Sequence, residues 1–134
     1  MVRKTEAYLD TSALIAFLDR SDSYHPLFRR LFSAPPLLIT SALVIAEGHG
    51  WFLRRYDQHK AIQFLAFTAE LPRLTIEAFG AEQLAAASAT VKKFHDQKLT
   101  LADAHGLVIM KNHRTDICWS TDRHMSLTGV ALVV

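Results

Sequence analysis

The chain has little of what secreted, membrane-bound or loop-built proteins rely on. Cys118 is the only cysteine among 134 residues, so no intrachain disulfide can form. Its setting in the apolar run DICW reads as a buried, unreactive thiol in a reducing compartment. With four prolines and five glycines the chain has no Gly/Ser-rich linker, and Pro35 and Pro36, its sharpest punctuation, separate elements and not domains. No stretch approaches the roughly 18 apolar residues of a membrane-spanning helix. In MVRKTEAYLDTSALIAFLDR, Glu6 and Asp10 interrupt what would have to be the apolar core of a signal peptide. Repeats, low-complexity tracts, an HExxH motif, a Cys/His cluster and a Walker or GxGxxG loop are all missing from the sequence, which removes solenoids, a dedicated zinc site and phosphate-cradling nucleotide folds. The expectation is one soluble, cytoplasmic domain over residues 1–134.

What is present is a chain half hydrophobic, arranged as short apolar runs between helical patterns. Runs of strand length fall at Ala7 to Leu9, Leu37 to Ile39, Leu74 to Ile76, Ile117 to Trp119 and Val130 to Val133. Helical patterns cover Ser12 to Leu18, Leu27 to Phe32, Ala42 to Arg55, Lys60 to Glu70, Glu82 to Phe94 and Leu101 to His113. Strands too short to alternate, separated by helices, imply βαβ crossovers: an α/β fold, three layers, with a short, mostly parallel sheet between helices. Ligands of such sheets bind beyond the carboxyl ends of the strands.

Three of four candidate acids are placed at that edge by the strands they follow, whereas Asp103 lies on a helix that enters the next strand and would begin at the opposite side if it ran directly antiparallel. Asp10 directly follows the first run, and Asp122 lies just past the fourth. Glu47 lies in the second turn of the helix leaving the second run, and Asp103 in the first turn of the helix preceding the fourth. Each also has a purely structural reading. Thr100 and Asp103 form a capping-box-like pair, Asp122 suits the cap of a short helix at Arg123 to Leu127, and Asp10 suits a turn. Glu47 fits none of these. The stretch Ala42 to Leu53 is apolar around nearly its whole circumference, which predicts burial of most of that helix and leaves a salt bridge as the structural explanation of Glu47.

Carboxylates repel at short range, so gathering several in one cleft calls for a cation. All-oxygen acidic donors suit Mg²⁺ or Mn²⁺. Formal net charge is +2, from 15 Lys and Arg against 13 Asp and Glu. If four acids share one site, the remaining surface holds 15 cations against nine acids, 13 less the four, which favours a polyanionic partner around a metal centre. Hydroxyl pairs accompany the acids, Thr11 with Ser12, Thr40 with Ser41 and Ser120 with Thr121, as helix caps or as supports of carboxylates. Of the seven histidines, His124 is the plausible auxiliary group, against an ordinary solvated surface role. An aspartyl phosphatase would need a second acid where the chain has Ser12, and a phosphoryl receiver would need paired acids at the first strand.

Over almost its whole length, from YLDTSALIAFLD through ITSALVIAE and LTLADA to STDRHMSLTGVALV, the chain resembles the PIN-domain nucleases, and within them the VapC toxins of toxin–antitoxin pairs. The resemblance implies a PIN-like fold and an acidic quartet of Asp10, Glu47, Asp103 and Asp122, with Ser12 and Thr121 as polar residues near it. It further implies an Mg²⁺- or Mn²⁺-dependent ribonuclease, an RNA substrate, an antitoxin partner and a homodimer. The competing readings are a PIN-like module that binds RNA or protein without cutting, and a housekeeping PIN nuclease. Met125 stands where many relatives carry Phe, a position that reads as packing.

Overall fold

The computed structural model describes residues 6–134; the basic residues Arg3 and Lys4 of the segment weighed above as a leader lie outside them. Five strands form one sheet: β1 (Glu6–Leu9), β2 (Leu37–Ser41), β3 (Leu74–Glu77), β4 (Ile117–Trp119) and β5 (Ala131–Leu132). Their order is β3-β2-β1-β4-β5, and every pairing is parallel. Parallel neighbours require crossovers, and the helices supply them. These are α1 (Thr11–Leu18), α2 (His25–Leu31), α3 (Ala42–Arg55), α4 (Gln58–Glu70), α5 (Ala81–Lys93) and α6 (Leu101–His113). A 3₁₀ turn spans Arg123–Ser126. Among the described residues no helix is long and apolar enough to cross a membrane.

β1 lies at the centre of the sheet, which explains its near-continuous apolar sequence: Ala7, Tyr8 and Leu9 are all buried. The core continues through Leu14, Phe28, Ile39, Val44, Phe64, Leu107, Met110, Cys118 and Met125. Burial pushes the Cys118 thiol up, in keeping with an inert role. At the carboxyl edge the Thr40 hydroxyl donates to the Leu9 carbonyl at 2.6 Å and locks β2 to β1 just before Asp10.

Two features aim α6. Its second turn lies at the carboxyl edge, where the Ser41 hydroxyl at the end of β2 is 2.6 Å from His105 Nδ1. The link that follows its last turn reaches the amino edge, where Thr115 donates to Glu6 at the start of β1. The opposite-side start expected for this helix is thereby corrected: a helix returning antiparallel to the strand that follows it must begin at the carboxyl edge, and Asp103 occupies that beginning. Close approach is possible because Gly106 has no side chain. A Cβ there would come within 2.7 Å of Met125 and 2.8 Å of the Tyr8 hydroxyl.

The expected burial of most of α3 is corrected. Val44, Gly48 and Phe52 form the buried stripe at i, i+4 and i+8, whereas Leu43, Ile45 and Trp51 are half-buried and Leu53 is exposed. Only one stripe of the helix faces the core and α4, and the apolar residues on its remaining circumference stay partly in contact with solvent.

Candidate metal centre

Asp10 follows β1 directly, with its amide bonded to the Trp119 carbonyl of β4 at 3.1 Å. It stands at the N-cap of α1, but its side chain makes no capping hydrogen bond. The carboxylate instead accepts from Ser120 Oγ at 2.6 Å and from Ser12 Oγ at 3.2 Å. The two hydroxyls are themselves 3.2 Å apart. Asp10 is only 5% exposed. Burial pushes its carboxyl up to about 6, the Ser120 hydroxyl and the Thr11 amide partly oppose this, and the charges of Asp103 and Asp122 raise it further.

Asp103 is both a cap and a member of this site. Its amide donates to Thr100 Oγ1 at 3.1 Å, and its carboxylate accepts from the Thr100 amide at 3.2 Å, completing the capping box. Burial raises its carboxyl, the Thr100 amide restrains it, Asp122 adds to the rise and His124 lowers it. Asp122 likewise caps the 3₁₀ turn by accepting the His124 amide at 3.0 Å. His124 turns its ring back toward both acids, with Nδ1 3.4 Å from Asp122 Oδ1 and 3.9 Å from Asp103 Oδ2. One ligand atom from each of Asp103, Asp122 and His124 falls within 4.8 Å of the others.

The predicted residues divide accordingly. Asp10, Asp103 and Asp122 are close enough to perturb one another electrostatically. Glu47 is exposed on α3, against the burial expected of it, and both Glu47 and Asp10 stand outside the three-residue group. Ser12 donates to Asp10 and also accepts the Thr121 amide at 3.0 Å. The hydroxyl on Asp10 from the β4 side belongs to Ser120, with Thr121 contributing its backbone. Register explains this: Leu9 pairs with Trp119, so the residues that follow them, Asp10 and Ser120, emerge side by side. His124 is the second residue whose closeness to the acids the sequence understated. Its spacing of two from Asp122 is the only signal it gave.

The donor chemistry fits a hard divalent cation. Carboxylate oxygens dominate, and the upward push on Asp10 from burial and from its acidic neighbours is the cost that a bound cation would relieve.

The PIN-domain family model matches residues 7–130, and the chain belongs to the PIN-domain family. No curated protein matches its sequence. Among solved structures it is similar to VapC20 of Mycobacterium tuberculosis, described as a toxin cleaving the sarcin–ricin loop. That likeness has a TM-score of 0.84 and 21% identity, over 93% of this chain and 96% of the other. It is also similar to a chain of a toxin–antitoxin complex from Klebsiella pneumoniae (TM-score 0.62, 18% identity, 96% of each chain). A third likeness is to VapBC2 from Rickettsia felis bound to a DNA fragment from its promoter (TM-score 0.62, 15% identity, 96% and 97%).

Proposed function

We propose that this protein is a divalent-metal-dependent ribonuclease and the toxin of a toxin–antitoxin pair. The observation that carries the reading is the convergence of Asp10, Asp103 and Asp122 at the carboxyl edge of a parallel sheet, where burial and neighbouring charge make the Asp10 and Asp103 anions costly. Membership of the PIN-domain family supports nuclease chemistry, and the VapC-like fold supports the toxin assignment.

Asp10, Asp103 and Asp122 would hold Mg²⁺ or Mn²⁺, and Glu47 completes the acidic set from its exposed position on α3. The ion, when bound, supplies Lewis-acid polarisation of a phosphodiester and acidifies a water molecule. The chain's own residues prepare for this. Ser12 and Ser120 fix the Asp10 carboxylate, and Thr100 fixes that of Asp103. Asp122 is held by its cap to the 3₁₀ turn. No side chain acts as a covalent nucleophile. The protein partner is an antitoxin that covers the acidic cleft, and the toxin is a homodimer of single-domain chains acting in the cytoplasm.

Purified protein should cleave RNA only with Mg²⁺ or Mn²⁺, and Asp10→Asn and Asp103→Asn should each remove the activity. Cleavage unchanged in both variants rejects the metal-nuclease reading, and metal-dependent RNA binding without cleavage selects the non-catalytic module. Induced expression with and without the product of the neighbouring gene then separates toxin from housekeeping nuclease. Growth arrest relieved by that product is the expected result.

A further inference from the structure

His124 turns Nδ1 toward both Asp103 and Asp122, and one ligand atom from each of the three lies within 4.8 Å of the others, close enough for a single cation to bridge them. Two donors bound to one octahedral ion at about 2.1 Å stand about 3 Å apart when adjacent and about 4.2 Å apart when opposite. The observed separations of 3.4 Å to Asp122 and 3.9 Å to Asp103 fall inside that span before any adjustment. The backbone that carries the ring is also held. Asp122 fixes the His124 amide, and the next residue, Met125, is fully buried beneath the turn against the Gly106 position. A histidine on a freely solvated surface would have neither restraint. Here the side chain is 34% exposed, which leaves one side open to a substrate.

We propose that His124 is a nitrogen ligand of the metal, together with Asp103 and Asp122, and that it makes the site select Mn²⁺ over Mg²⁺. This rests on the metal-nuclease reading and sharpens it. Mg²⁺ takes oxygen donors almost exclusively, whereas imidazole is a good ligand for first-row transition ions, so replacing one oxygen by nitrogen shifts preference toward Mn²⁺. The competing role for His124 is an ion pair that steadies two acids without touching the metal.

Pulsed electron paramagnetic resonance of Mn²⁺ bound to the full chain separates these roles, because a directly bonded imidazole imprints nitrogen modulation on the echo and an ion-paired one does not. The wild type should show that modulation, and His124→Gln and His124→Ala should lose it while keeping the wild-type circular dichroism spectrum. Removing the ligand should weaken Mn²⁺ binding by about tenfold to a hundredfold, the range found when metal-site support is lost. Mg²⁺ binding, measured by competition, should change far less, so the Mn²⁺/Mg²⁺ preference falls. Mn²⁺ bound without nitrogen modulation in the wild type, or modulation that survives both substitutions, overturns the assignment of His124 and leaves the metal-nuclease reading standing. A wild-type protein that binds neither ion overturns both.

Discussion

Asp10 is an expensive anion as long as no cation is near it. Its carboxyl is raised from the ordinary 3.8 to about 6, so the folded state binds the proton more tightly than the unfolded state does. The stabilisation from that proton is complete below about pH 4 and is lost as the pH rises through about 6. Two units at about 1.4 kcal/mol each put the loss near 3 kcal/mol in the metal-free protein. Asp10→Asn should therefore stabilise the protein in chelator at pH 8, although it removes the proposed activity, with the advantage vanishing at pH 4; urea midpoints at both pH values check this. Added Mn²⁺ should return stability to the wild type and not to the variant. Glu47→Gln should behave differently. Glu47 is exposed, so stability should stay within about 0.5 kcal/mol. Activity should fall less than in Asp10→Asn, and side-by-side cleavage rates measure the difference. At this scale the sequence was legible in part. Asp103 and Asp122 have capping readings that are correct, yet capping did not compete with the site. The bonds that cap each helix also orient the carboxylate. Glu47 was misread because apolar residues around a helix were equated with burial, although only the stripe facing a neighbour is covered.

At the scale of elements, the site depends on how closely α6 lies on β1 and on the 3₁₀ turn. Each contributes to it: α6 carries Asp103, β1 runs into Asp10, and the turn carries Asp122 and His124. Gly106 is where the three meet. Gly106→Ala gains about 1 kcal/mol of helix propensity. It also drives a methyl group into a fully buried tyrosine and methionine, and overpacking of that kind costs about 1–3 kcal/mol. The variant should be less stable by thermal unfolding, and Mn²⁺ affinity should fall with it, since any outward shift of α6 carries Asp103 away from Asp122. Unchanged affinity in a destabilised variant would show that the acids do not depend on this contact. The strands and helices themselves were readable from short apolar runs and 3.6-residue periods, because local pattern and tertiary role agree there. The direction of α6 was not. Asp10, Glu47 and Asp122 were placed from strand ends, whereas Asp103 depends on which edge its helix starts from, a property of the crossover and not of the residues near it.

At the scale of the molecule, one helix has more apolar surface than its core absorbs. Along α4, Phe64 is fully buried and Phe67 stacks on Phe17 with ring centroids 4.9 Å apart. On another side Ile62 is 53% exposed and Leu65 40%. These two lie three residues apart and so share a face. A single exposed leucine is unremarkable, but two exposed side chains on one face make a continuous apolar surface that a second copy could cover. If it is the surface on which two copies meet, twofold symmetry places each α4 against its mate, and the same residues are buried from both sides. Light scattering should then give about twice the 15.1 kDa chain mass for the wild type. Ile62→Asp with Leu65→Asp should give the single-chain mass with an unchanged circular dichroism spectrum, since neither residue belongs to the buried core. The substitutions should also leave Mn²⁺ affinity as it was, because α4 contributes nothing to the acidic cluster. A wild type that scatters as a single chain at micromolar concentration removes the dimer.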